Sequence, residues 1–496
     1  MEQHFPVLVV LVPMLAAPIA VIFARGGLAW FLALVSSLAS LYMSAVMLMT
    51  VLDVGVISYH IGDWAPPWGI EYRIDRLSAL VALLLSGVSV AVLPFARRSV
   101  KKEIALERQY LLYTCWSLCL SGLIGMTVTG DAFNVFVFLE ISALSTYALV
   151  SIANRRQAHL AAFRYLIAGT VGATFLLIGI GLLYMQTGTL NMADLAERLP
   201  GVAGTRPVIA GLGFIIVGIA LKMAMFPVHG WLPGAYSRAP VAVSAFLAGT
   251  ATKVSAYLLV RFTYTVFGAD FTFGTLNVGT PIILLGAAGA VVGSIAAMHA
   301  SDLKRLLAFS SVAQIGYMGI GIGIATVEGL GGGMLHVFNH ALMKVALFIG
   351  VGCVLYGRGS VALESFSGLG KQMPIAMGAF TVAALSLIGV PGTAGFVSKW
   401  YLVVAALESG WWPVAMVIMV TSLMAVVYMG KILERIWLGQ PSTHVTHDAT
   451  HESRVPTAMF SMLYVLAFAN IYFGLETSLT VGVVLDAARE LIGQGG

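Results

Sequence analysis

Five ionisable side chains sit deep inside long apolar runs of this chain: Glu140, Lys222, Lys253, Lys344 and Lys399. A charge near the centre of a bilayer costs at least about 2.5–3.5 kcal/mol, so ionisable groups at that depth mark ion or proton pathways. Four amines and one carboxylate in separate runs suit the passage of protons from group to group. A static salt bridge would account for Glu140 and one lysine, but a single carboxylate cannot neutralise four. A carboxylate beside an ammonium favours the charged form, whereas burial disfavours it. Forming and parting a Glu140–Lys222 pair would therefore take up and release a proton.

His336, His340 and Lys344 are spaced i, i+4, i+8 and stack along one helix face, with Asn339 beside them. Histidine titrates near neutrality and suits a proton relay. Hydrogen-bonded core histidines are a second reading. A metal held by His336 and His340 is a third, although no carboxylate or cysteine lies nearby and Lys344 would repel a cation. Lys253 has small or hydroxylated neighbours (Thr250, Ala251, Thr252, Ser255), which leave room for water. Snorkelling to a helix end is the alternative, against which apolar sequence flanks it on both sides. Lys399 follows Pro391-Gly392-Thr393 and is either a path residue beside a helix break or a lysine near the outer interface.

These groups need elements that hold them in a membrane. Of 496 residues, 59% are hydrophobic and only 10% charged, and the mean hydropathy is +0.93; soluble domains carry about 25% charged residues. Apolar runs of about twenty residues, each able to cross ~30 Å of hydrocarbon, recur from end to end. Continuous rather than alternating runs exclude a β-barrel. The expectation is an all-α integral membrane protein with fourteen spans, near 5–23, 28–52, 77–96, 110–128, 131–152, 160–185, 208–229, 242–266, 279–298, 306–325, 331–356, 374–404, 413–437 and 457–483. The first is a span and not a signal peptide, having Glu2 at its start, no basic n-region and no small-residue cleavage site.

With the N-terminus outside, the inner loops collect fifteen Lys and Arg residues and the outer segments five, which predicts both termini outside. The net charge of +5 thus reflects orientation and does not call for nucleic acid. The Arg97, Arg98, Lys101, Lys102, Arg108 cluster is a topology determinant that anionic lipid or a neighbouring chain of a complex could also contact. Cys115, Cys119 and Cys353 lie in apolar helices and read as packing residues. No CxxC, GxGxxG or GxxxxGK[ST] pattern occurs, so no cofactor is expected, and redox or nucleotide chemistry would belong to another chain. His444, His447 and His451, with Asp448 and Glu452, could bind a metal but read better as a solvated inner loop. The Gly331–Gly333 run suits close packing rather than phosphate binding.

Helix breakers fall within the seventh span, Phe226-Pro227 through Pro233-Gly234, and the twelfth, Gly389-Val390-Pro391-Gly392. Breaks five spans apart, each near a lysine, predict two five-helix repeats, and inverted-repeat transporters place ion sites at such breaks. No soluble segment is large enough for a domain. The chain divides into helices one to three (1–109), a first repeat (110–266), a second (279–437) and a last helix (457–483), all one membrane domain.

Six stretches carry a resemblance: GDAFNVFVFLE at 130–140, LKMAMFPVHGWLPGAYSRAP at 221–240, the Lys253 span, SDLKRLLAFSSVAQIGYM at 301–318, HVFNHALMKVALFIGVG at 336–352 and GVPGTAGFVSKW at 389–400. They are similar to those of the antiporter-like subunits shared by Mrp-type cation/proton antiporters, respiratory complex I and membrane-bound hydrogenases. The resemblance implies fourteen helices, two inverted five-helix repeats with broken helices seven and twelve, and a charged axis along the midplane. It implies proton-transfer roles for Glu140 paired with Lys222, for the connecting Lys253, for His336, His340 and Lys344, and for Lys399. Chain length, Lys399 and the His336/His340/Lys344 set look most like the D-type member of Mrp Na+/H+ antiporters. The middle antiporter-like member of complex I usually has glutamate where Lys399 sits, the distal member continues into a lateral helix, and the large Mrp member is far longer. The implied activity is proton translocation within a multi-subunit Na+/H+ antiporter of a prokaryotic plasma membrane, with other membrane subunits as partners. The alternative is a pump module of a redox-driven complex, and neighbouring genes would discriminate. A passive scaffold is a third reading, against which every axis position is retained.

Overall fold

A computed structural model describes residues 2–153, 155–440 and 455–493 of the chain. Short polar punctuation sets where its helices begin. Asp75, Asp131, Asp302 and Thr326 each stand at an N-cap and accept a backbone N–H, from Ser78 (2.9 Å), Asn134 (2.7 Å), Arg305 (2.8 Å) and Gly329 (3.1 Å) respectively. Such caps satisfy donors that the first helical turn leaves unpaired. Between them, thirteen helices among the described residues are long and apolar enough to cross a membrane. A divided twelfth span adds the fourteenth crossing, and the protein is an all-α, multi-pass membrane protein.

The first six spans are Phe5–Phe23, Gly26–Val54, Arg76–Glu103, Gln109–Val128, Ala132–Ser151 and Arg156–Thr187. The seventh is broken: Arg206–Met223 stops at Ala224 in the left-handed region (φ 60°), and Trp231–Arg238 resumes beyond the Pro227 segment. The twelfth is broken as well, into Pro374–Ile388 and Ala394–Glu408, with Gly389 at φ 93° between them. Both divisions fall at the Pro/Gly clusters of the sequence. Because five is odd, units built on spans four to eight and nine to thirteen enter the membrane from opposite sides.

Two features differ from expectation. The eighth span is also divided, into Val241–Gly249 and Ala251–Val260, and continues as a π-helical turn over Arg261–Val266. The fourteenth span is shorter than expected, Thr457–Leu475, and Ser478–Ile492 forms a separate amphipathic helix. Its Thr480, Val483, Val484, Ala487 and Ala488 are buried at helical spacing, and Asp486, Arg489 and Glu490 lie on the other side. Outside the spans, β1 (Ile57–His60) and β2 (Glu71–Ile74) pair antiparallel, and Met192–Arg198 forms a short helix in the loop after the sixth span.

The ninth (Gly279–Met298), tenth (Leu303–Ile324), eleventh (Val327–Arg358) and thirteenth (Trp412–Leu438) spans are continuous. At the centre stands the eleventh, whose apolar stretch is wholly buried within the molecule. It packs on the third, eighth, tenth, twelfth and fourteenth spans and on the Ser478–Ile492 helix. Close approach of the ninth and tenth depends on glycine: a Cβ on Gly316 would come within 2.3 Å of the Gly286 carbonyl oxygen. Small residues are the usual means of bringing two membrane helices into direct backbone contact.

Candidate functional site

Asp131 caps the fifth span, and Glu140 follows nine residues later, about 14 Å along the axis at ~1.5 Å per residue. Its Oε1 lies 4.0 Å from the Lys222 amine. Lys222 sits in the last turn before the seventh-span break, where the exposed carbonyl end of a helix favours a cation. The same amine donates to the Tyr147 hydroxyl at 3.3 Å. Tyr147 meets Tyr165 edge-on at 4.8 Å, Tyr165 stacks on Trp231 at 4.0 Å, and the Trp231 indole donates to the Leu221 carbonyl at 2.8 Å. An aromatic clamp therefore ties the two halves of the seventh span beside its lysine. Glu140 and Lys222 are a loose pair, since at 4.0 Å they are beyond hydrogen-bond distance and Oε1 of Glu140 has no hydrogen-bond donor among the described residues.

Lys253 is fully buried, three residues past the eighth-span division at Thr250. Its amine donates to the Ala248 carbonyl and to Thr252 Oγ1 (3.2 Å). The division thus supplies a carbonyl that a continuous helix would have consumed. Two turns further along, Arg261 donates to Tyr257 Oη (2.8 Å) and to Asp75, and Tyr257 donates to the Thr127 carbonyl (2.8 Å). Burial works against the Asp75 carboxylate, but the Arg261 guanidinium and the hydrogen bonds from Arg261 and Ser78 hold it below the usual carboxylate range. Asp75–Arg261 is accordingly a standing ion pair at neutral pH, on the wall of a cavity of about 430 Å³.

In the second half, Lys344 donates to the Leu307 carbonyl at 2.7 Å and to Ser310 Oγ, both on the tenth span. His336 is bonded at both ring nitrogens: Nδ1 to Ser398 Oγ at 2.9 Å and Nε2 to Gln314 Oε1 at 3.0 Å. His340 is equally buried, stacks on His336 at 5.9 Å, and has no hydrogen-bond partner at either nitrogen among the described residues. Asn339 donates to the Ala394 carbonyl (2.6 Å), fixing the second half of the twelfth span to the eleventh. Lys399, beside Ser398, donates across the break to the carbonyls of Leu387 (3.0 Å) and Ile388 (2.8 Å). Its amine also lies 5.3 Å from the centre of the Tyr317 ring. It is 6% exposed, with its amine turned in toward the break rather than out to a surface.

Packing of elements places these groups in order. The first half of the seventh span packs on the second half of the eighth, the eighth on the eleventh, and the eleventh on the second half of the twelfth. Tyr147, Ser310, Gln314, Tyr317, Ser398 and the Asp75–Arg261 pair were not singled out from the sequence. A polar side chain within an apolar span was the signal for each except Asp75, which stands at the N-cap before the third span. The three cysteines are unpaired thiols. The His444, His447, His451, Asp448 and Glu452 loop lies outside the described residues, among which no group of three or more His, Cys, Asp or Glu could hold a metal ion.

A family model described as NADH:quinone oxidoreductase/Mrp antiporter, TM, matches residues 129–425. The chain is 41% identical to the N-type member of an NADH-quinone oxidoreductase of Desulforudis audaxviator, covering 98% of this chain and 99% of the relative. It is 30% identical to the D-type member of a Na(+)/H(+) antiporter of Alkalihalophilus pseudofirmus, covering 88% of each. A chain in the structure of the Mrp complex from a Dietzia species superposes with a TM-score of 0.89 at 27% identity, over 99% of this chain and 97% of that one. Identity therefore does not single out the D-type antiporter member, the preference drawn from length, Lys399 and the histidines. With every axis residue from Glu140 to Lys399 inside the matched region, and relatives along nearly its whole length, the chain belongs to the NADH:quinone oxidoreductase/Mrp antiporter transmembrane family.

Proposed function

We propose that this protein is the proton-translocating subunit of a multi-subunit monovalent cation/proton antiporter in a prokaryotic plasma membrane, with both termini outside. The observation that carries the reading is a set of three buried amines placed at three helix divisions, with the buried imidazoles of His336 and His340 on the continuous eleventh span that packs against two of them. Lys222 precedes one break, Lys253 follows another, and Lys399 reaches across a third. Protons would move as the loose Glu140–Lys222 pair opens and closes, passing by Lys253 to His336, His340 and Lys344 and on to Lys399. The likeness to a chain of the Mrp complex supports this reading. A second reading, a pump module driven by electron transfer in other subunits, is favoured by the 41% relative named for an NADH-quinone oxidoreductase.

The test is transport by the intact complex in proteoliposomes, followed with an entrapped pH dye. A Na+ pulse drives it under the first reading, and reductant with quinone under the second. Glu140→Gln and Lys222→Met should each lower proton movement at least about tenfold, the scale of one lost charge-assisted interaction. Normally assembled variants with undiminished transport would remove the pair from the mechanism. Sequencing the subunits that co-purify decides between the two drives.

A further inference from the structure

On the face opposite the N-terminus, a groove of about 440 Å³ opens between the sixth span, the second half of the seventh and the start of the tenth. One arginine from each element lines it: Arg164, Arg238 and Arg305. All three are exposed, no Asp or Glu lines the groove, and none of the three forms an ion pair among the described residues. His229 also lines it. Three arginines from separate elements, with no carboxylate among the residues lining the groove, suit an anion.

Depth and surroundings say which anion. The sixth span has 32 residues, about 48 Å of helix, well beyond the ~30 Å of a hydrocarbon core. Arg164 lies eight residues from its start, about 12 Å along, which places the guanidinium at headgroup level. Beside it, Leu160, Phe163 and Ile167 are 50%, 56% and 50% exposed and share one helix face. That apolar track runs from the groove toward the membrane centre, so a charged head and an acyl chain find adjoining places. Guanidinium groups match phosphate oxygens in paired hydrogen bonds.

We propose that this groove binds the phosphate of an anionic phospholipid, whose acyl chain lies along the exposed face of the sixth span. Because Gly230 and Trp231 also line the groove, the bound lipid braces the seventh-span break that carries Lys222. The inference concerns binding and holds under either transport reading.

The purified complex is placed in nanodiscs of phosphatidylcholine with or without phosphatidylglycerol, and retained lipid is counted by native mass spectrometry. The expected result is phosphatidylglycerol retained by the native complex and lost in Arg164→Gln/Arg305→Gln. Its affinity should fall about 30-fold, the loss for two neutralised membrane-proximal arginines. Arg164→Lys/Arg305→Lys, which keeps the charge, should retain most of it and controls for assembly. Benzoylphenylalanine at Leu160 should crosslink to the lipid. Unchanged retention in the glutamine variant would overturn the proposal. So would equal retention of inorganic phosphate by the complex in phosphatidylcholine alone, which identifies a free-anion site, or crosslinking from Leu160 to another protein chain instead of lipid.

Discussion

His336 and His340 occupy one helix face, yet their surroundings differ. A protonated imidazole donates from both nitrogens, and His336 already faces Gln314 Oε1 and Ser398 Oγ, two groups able to accept. His340 has neither. The geometry equips His336 to hold a proton in place, while His340 must find partners by moving or by admitting water. Gln314→Leu removes one acceptor, and a hydrogen bond to a charged group is worth about 1.5–3 kcal/mol. At ~1.4 kcal/mol per decade, proton transport by the assembled complex should fall about 10- to 100-fold. Gln314→Glu keeps an acceptor and should keep the larger share of the rate. Equal rates for the native and leucine forms, measured by dye quenching in proteoliposomes, would take Gln314 off the path. The charged members of the site were legible because a charge in an apolar run is rare. Gln314, Ser398, Ser310 and Tyr147 were not, since uncharged polar residues are common in spans. Their meaning depends on which helix each one faces, and that is set by tertiary packing.

Helix breaks are the elements that make the site, and they were legible only where the backbone chemistry is local. Pro227 and the Gly389–Gly392 run mark the seventh and twelfth divisions in the sequence itself. The eighth division at Thr250 has no proline. There a Cβ on Gly249 would meet Val345 Cγ2 at 2.6 Å and Val88 Cγ1 at 2.7 Å, so contact with the eleventh and third spans governs the position. The end of the fourteenth span was overrun for a similar reason: the following helix is apolar enough to continue the run, and only its outward face is charged. Gly389 tests the role of a break directly. Its φ of 93° is one that an L-residue adopts at a cost of roughly 1–2 kcal/mol. An added Cβ would also stand 3.0 Å from Lys399 Cδ, displacing the amine from the carbonyls of Leu387 and Ile388. Gly389→Ala should therefore lower the melting temperature of the complex and cut transport about tenfold, through the loss of a charged hydrogen bond. Lower stability with full transport would show that Lys399 does not depend on the break.

At the scale of the molecule, burial is uneven along the charged row. Lys253, His336, His340 and Lys344 are fully enclosed, whereas the Glu140 side chain is 29% exposed. Glu140 opens on a helix face that also presents Phe133 (44% exposed), two turns before it, and Leu144 (59% exposed), one turn after it. An ionised group facing lipid at that depth costs at least about 2.5–3.5 kcal/mol, and a neighbouring protein surface relieves that cost. Under the proposed function, a partner subunit covering this surface would relieve that cost and stand where the row meets the outside of the chain. Benzoylphenylalanine at Leu144 should crosslink in the native membrane to a second membrane subunit. The same probe at Leu423, 66% exposed on the thirteenth span, provides the comparison. Capture of a neighbouring chain from Leu144, lost when that chain is deleted, places the interface over Glu140. Lipid adducts alone from Leu144 would mean that the carboxylate faces the bilayer and that no subunit covers this end of the row.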